Sequence, residues 1–72
     1  MKLLDVKVGE IVKVKNNRAQ DYLKERFLAL GLTSGAQVEV LRKGPKNNLT
    51  VYRIRGAMIA LRSEESDLIE VY

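Results

Sequence analysis

Cysteine and histidine are both missing from these 72 residues, tryptophan is missing too, and there is one proline and one phenylalanine. Without cysteine the chain can form no disulfide, no thiolate metal site and no cysteine nucleophile, which suits a reducing compartment. Without histidine it also lacks the commonest transition-metal ligand and the commonest general base. No run approaches the roughly 20 apolar residues of a membrane-spanning helix. The opening Met1-Lys2-Leu3-Leu4-Asp5-Val6-Lys7 interrupts its apolar residues with charge too often for a signal peptide, so a cytoplasmic protein is expected.

A chain this short buries only about 60% of the surface its unfolded form exposes, so one thin core must absorb most of the apolar residues. Residues 1–72 are read as a single domain, with little volume for a deep substrate cavity. No nucleophile–base pair, phosphate-cradling glycine loop or paired buried carboxylate is visible, so neither enzyme activity nor a cofactor nor a small-molecule substrate is expected. The charge is basic, with 13 Lys and Arg against 9 Asp and Glu. That balance favours anionic partners without choosing among nucleic acid, an acidic protein face and lipid headgroups.

Apolar periodicity supplies the elements. Glu10 to Lys15 alternates as a half-buried strand with Val12 and Val14 inward, and Asn16-Asn17 reads as a turn. From Ala19 to Leu30 the period lengthens: Leu23, Phe27 and Leu30 share one helical face, and Gly31 supplies a left-handed stop. Thr33-Ser34-Gly35 is a second turn. Gln37 to Lys43 resumes alternation with Val38 and Val40 inward, and Gly44 to Asn48 reads as a hairpin loop. Leu49 to Arg55 is a strand of open register, because Leu49 and Val51 share one side and Tyr52 and Ile54 the other. Gly56 suits a bend or bulge before a strand from Met58 to Arg62. Ser63 to Asp67 reads as a helical turn with Ser63 as N-cap, and Leu68 to Tyr72 as the last strand. The sum is a mainly β, closed or nearly closed small barrel of about five strands, with one α-helix between the first two and a short helical turn before the last.

Three segments, in this order and spacing, resemble the FeoA family: Arg26 to Val38 with its Leu30-Gly31-Leu32 stop, Gly44-Pro45, and Arg53 to Arg62 followed by Glu64-Glu65 and Ile69-Glu70-Val71. With Leu4 to Glu10 the resemblance spans almost the whole chain; Ser34 departs from it, standing where proline is expected. It implies an SH3-like barrel in the cytoplasm, at the membrane only through a partner. That partner is FeoB, a membrane protein whose G-domain hydrolyses GTP and whose membrane part passes ferrous iron. The same fold occurs as a C-terminal module of iron-responsive repressors, but no winged-helix region precedes it in these residues.

Several residues are candidates for contact with a partner. A strict helix leaves Leu28 among Lys24 and Glu25, so Leu28 and Leu32 form an apolar anchor on one reading; on the other they are isolated surface leucines or lie under a loop. Arg26, Arg53, Arg55 and Arg62 either face an acidic surface or a phosphate backbone, or keep a solvated face soluble. Nucleic-acid binding is disfavoured because Tyr22, Tyr52 and Tyr72 are scattered along the chain. Glu64, Glu65 and Asp67 serve a helix dipole or, weakly, a cation. A metal-responsive domain is the third reading, although Met1 and Met58 are read as core filler. Gly31, Gly35, Gly44 and Gly56 carry turns, and an open barrel edge would permit self-association.

Overall fold

The computed structural model describes residues 1–72, the side chain of Asn47 excepted. Five antiparallel strands form one curled sheet in the order β4-β3-β2-β1-β5. They are β1 (Ile11–Asn17), β2 (Gln37–Lys43), β3 (Leu49–Ile54), β4 (Ala57–Arg62) and β5 (Ile69–Val71). The helix α1 (Asp21–Ala29) lies between β1 and β2, and a single turn, α2 (Ser63–Ser66), precedes β5. Two 3-10 turns, Leu3–Asp5 and Pro45–Asn47, complete the chain. The expected mainly β architecture with five strands and these two helices is therefore present.

Alternation decides the core. Val14, Val38, Val40, Tyr52, Ile54, Leu61, Ile69 and Val71 all point inward, and Phe27 closes one end from α1. The open register of β3 resolves with Thr50, Tyr52 and Ile54 inside and Leu49, Val51 and Arg53 outside. Only one side chain of β4, Leu61, is fully buried. Met1 and Met58 are 65% and 67% exposed, so neither fills the core as expected.

Other boundaries differ from the sequence reading for identifiable reasons. Asn16 and Asn17 are not a turn after β1 but its last two residues; a register shift after Val14 lets them pair with Glu70 and Ile69 of β5. The asparagine chemistry acts one step later. Asn17 Oδ1 accepts the Ala19 amide at 3.0 Å and its Nδ2 donates to the Lys24 carbonyl at 3.3 Å, fixing the entry to α1. Ser63 is not the N-cap of α2; Arg62 occupies that position, and its amide donates to Glu65 Oε1 at 2.8 Å. Arg55 is not part of β3. With Gly56 it forms a two-residue hairpin loop between the paired Ile54 and Ala57, both loop residues having positive φ (51° and 80°). Those signs are the ones that match the right-handed twist of the flanking strands.

The end of α1 is the tightest junction. Gly31 adopts φ 102°, its amide donates to the Leu28 carbonyl at 3.0 Å, and the Leu32 amide donates to the Phe27 carbonyl at 3.0 Å. This is a Schellman stop, in which the residue after the glycine turns back onto the buried Phe27 of the helix. Leu32 is consequently buried with Phe27, at 0% exposure each. The expectation of Leu32 as a surface anchor is thereby corrected: the motif that ends the helix drives it inside. Leu28, on the opposite side, stays 42% exposed as the helical wheel requires.

A Cβ on Gly31 would meet Arg55 Cδ at 2.9 Å and Ile54 Cγ2 at 3.1 Å. Gly31→Ala is therefore expected to cost about 2 kcal/mol, combining left-handed strain with displacement of the hairpin tip. The urea midpoint measures it; a loss below about 0.5 kcal/mol would show that the stop relaxes freely.

Candidate docking site

The candidate partner-binding side chains fall into three places. Arg53 and Arg55 come together with Gly35 and Gly56 along an open groove of about 590 Å³ between the β3–β4 hairpin and the turn after Leu32. Arg26 lies on α1 facing α2, and Arg62 stands at the far end of β4, paired with Leu49. Five strand steps separate Arg62 from the hairpin, about 17 Å, so it does not share the groove.

Within the groove the two guanidinium groups differ in kind. Arg53 sits directly across from Glu39 in the β2–β3 register and donates to Glu39 Oε1 at 3.0 Å. That cation is neutralised in place. Arg55 donates only to the neutral hydroxyl of Thr33 at 3.3 Å, and its stem lies against Gly31. Its charge remains available to an anion, and its backbone is held in the left-handed region. A positive φ at a residue other than glycine costs about 1–2 kcal/mol and fixes where the side chain emerges.

Ile11 supplies the apolar wall, lining the groove at 60% exposure. It was not singled out in the sequence, although the alternation that turns Lys13 and Lys15 outward also turns Ile11 outward. An exposed isoleucine beside an unneutralised arginine can hold an apolar and acidic chain segment. Gly44 takes no part: its backbone is extended and its amide donates to the Leu49 carbonyl at 2.7 Å.

The acidic candidates are dispersed by their own partners. Glu65 accepts Arg26 Nη1 at 2.7 Å, Asp67 meets Lys2 at 3.1 Å, and Glu64 accepts only the neighbouring Ser63 hydroxyl at 3.4 Å. Among the described residues no three acidic side chains converge as a metal site would need. Partial burial pushes the Glu65 carboxyl up, but the Arg62 amide and the Arg26 guanidinium outweigh it and hold the group below the ordinary glutamate range. Glu65 thus acts as a structural clasp between α1 and α2.

Comparison with known proteins places this geometry. The FeoA domain family model matches residues 1–72. The chain belongs to the FeoA family. It is 34% identical over 65 residues to a Helicobacter pylori protein named Fe(2+) transport protein A, a match covering 90% of this chain and 83% of that one. The solution structure of FeoA from Chlorobium tepidum superposes with a TM-score of 0.92 at 30% identity, over 100% of this chain and 69% of that one. Stenotrophomonas maltophilia FeoA, solved with zinc and described as an SH3 domain protein, matches in fold with a TM-score of 0.84 at 24% identity, over 100% and 89% of the two chains. The curled sheet of this FeoA domain is therefore SH3-like, and its function lies in ferrous iron transport as an accessory.

One buried and one more exposed polar contact make stability depend on pH from opposite ends. Burial raises the Tyr52 phenol above its ordinary value, offset in part by hydrogen bonds with Ser66 and Thr50, and Tyr52 donates to Ser66 Oγ at 2.8 Å. The folded form retains that proton when the unfolded form has lost it, so stability should fall as pH rises past about 10. Glu65, held low, contributes stability above the unfolded glutamate value of about 4.3 that is lost as pH falls through its folded value. Urea midpoints across pH should show both limbs. Tyr52→Phe should flatten the alkaline limb and Glu65→Gln the acid one, each costing about 1 kcal/mol at neutral pH. An unchanged limb in either variant refutes its assignment.

Proposed function

We propose that this FeoA domain is a non-catalytic cytoplasmic accessory that docks on the cytosolic part of a FeoB-type membrane GTPase and biases its pore assembly or gating. The observation that supports this reading best is the groove itself. Its unneutralised Arg55 stands beside exposed Ile11, on a tip whose backbone is held in one conformation. A partner segment carrying an acidic and an apolar residue fits that chemistry, with a charge-assisted bond to the guanidinium and apolar burial against Ile11. Leu28 widens the contact as a second apolar point. Its carbonyl accepts the amide of Gly31, the residue on which Arg55 lies, so helix end and groove belong to one rigid corner.

Docking alone does not regulate. To shift a transporter between states the domain must bind one of them more tightly, and the shift cannot exceed that difference in affinity. Membrane association then comes through the transporter; no helix among the described residues is long and apolar enough to cross a bilayer.

The test is a calorimetric titration against the G-domain, nucleotide-loaded and empty, and against the full transporter. Arg55→Asn removes the cation while keeping a residue tolerant of positive φ, so it should weaken binding about tenfold without unfolding the domain. Leu28→Glu should weaken it by a similar factor through lost apolar contact. Absence of binding to all three preparations, or wild-type affinity in both variants, removes the proposal.

A further inference from the structure

The sheet has two edges, and the chain treats them differently. Beyond β5 the N-terminus closes the edge: the Val71 amide donates to the Met1 carbonyl at 2.7 Å and Lys2 bridges to Glu70. Beyond β4 no strand follows among the described residues. From Ala57 to Leu61 the edge also carries no lysine, proline or acid, the residues that ordinarily blunt such an edge.

The hairpin fixes which groups that edge offers. Ile54 and Ala57 flank a two-residue loop and so form a hydrogen-bonded pair, and bonding to β3 recurs at every second residue: Ala57, Ile59 and Leu61. Ser63 continues the parity, donating to the Asn48 carbonyl at 3.1 Å. Met58, Ala60 and Arg62 therefore direct their amides and carbonyls away from the sheet. The Arg62 amide is already taken by Glu65, which ends the free stretch. What remains are the amides and carbonyls of Met58 and Ala60, and the carbonyl of Arg62.

We propose that β4 pairs with β4 of a second copy of this chain, antiparallel about a two-fold axis at Ala60. In this register Ala60 faces Ala60 of the second copy, Met58 faces its Arg62, and Ile59 faces its Leu61. Four backbone hydrogen bonds form: two between the alanines, and one from each Met58 amide to the opposite Arg62 carbonyl. The half-buried Ile59 extends each core across the seam.

Charge selects this register over its neighbour. Centring the axis on Ile59 also yields four bonds, but it sets Arg62 opposite Gly56 and beside Arg55 of the second copy, cation against cation. With the axis at Ala60, Arg62 lies along the Met58 side chain instead, and the two Arg62 residues stand about 13 Å apart, beyond a Debye length at physiological salt. The same register carries Glu64, whose carboxylate meets no cation within its own chain among the described residues, toward the Arg55–Gly56 tip of the second copy. One end of the edge is basic, the other begins an acidic turn, and two-fold symmetry sets each against its opposite.

The absence of native cysteine provides a clean probe. Ala60→Cys puts two thiols across the axis at a Cα separation of about 5.5 Å, within disulfide range, whereas Met58→Cys puts them too far apart. Under mild oxidation the Ala60→Cys chain should cross-link at least about tenfold faster than Met58→Cys. Sedimentation of the full chain should show a monomer–dimer equilibrium. Ala60→Pro, which removes an outward amide and no bond to β3, should weaken that equilibrium about tenfold or more with an unchanged circular dichroism spectrum. If that variant does not fold, Ala60→Lys tests the same contact by setting like charges at the axis. A chain that stays monomeric to millimolar concentration, equal cross-linking at the two positions, or a dimer indifferent to these substitutions overturns the proposal. So does protection of the Ala60 amide from exchange that appears with the transporter's cytosolic domain and never with rising concentration of the chain. That last outcome assigns the edge to another protein, while loss of the dimer leaves the Arg55 groove unaffected.

Discussion

The left-handed turn at Gly31 is the constraint on which the rest of the fold leans. It ends α1, drives Leu32 back onto Phe27, and leaves an opening that the stem of Arg55 occupies. Any side chain at that position would strain the backbone and displace the hairpin tip together. One residue thus ties the helix, the core and the β3–β4 loop, and in a domain with so little interior there is no second layer to absorb an error. The core residues that meet there, Phe27, Leu32 and Ile54, are all fully buried.

From that corner the two faces of the domain diverge in character. Toward the groove, Arg53 is spent on Glu39, while Arg55 keeps its charge and is held by a hydroxyl and a glycine. Away from it, cations are consumed in holding elements together: Arg26 on Glu65, Lys2 on Asp67, Arg18 on Glu70. Four of the basic side chains are thereby paired within the chain, Arg53 among them, which lowers what a phosphate backbone could engage. Part of the basic charge is used in these clasps, and the Arg55 guanidinium is presented at the groove, an arrangement better matched to docking on a protein surface.

The sheet edges show a similar division of labour. The short β5 edge is sealed by the chain's own first residues, and the longer β4 edge ends where Glu65 takes the Arg62 amide. Glu65 therefore performs two tasks with one carboxylate, capping α2 and joining α1, which accounts for its retained charge despite partial burial.

Alternation and helical period determined, from the sequence alone, which elements exist and most of what they bury: Val38, Val40, Val14 and Phe27 are inside, and Leu28 is outside. These are local properties, set by the two-residue and 3.6-residue repeats of the backbone. The FeoA family's glycines were legible for the same reason, since a stop and a turn need a backbone that few residues tolerate. The inside face of β3, the burial of Leu32 and the continuation of β1 through Asn17 were decided by tertiary structure. Each depends on a register or a reverse turn that only a distant partner fixes, as the two-residue loop fixes Tyr52 inward and β5 retains Asn16 and Asn17. The pairing of Arg18, Arg26 and Arg53 with Glu70, Glu65 and Glu39 followed the same rule, because a charge's partner is chosen in space, and sequence spacing between Arg26 and Glu65 carries no trace of it.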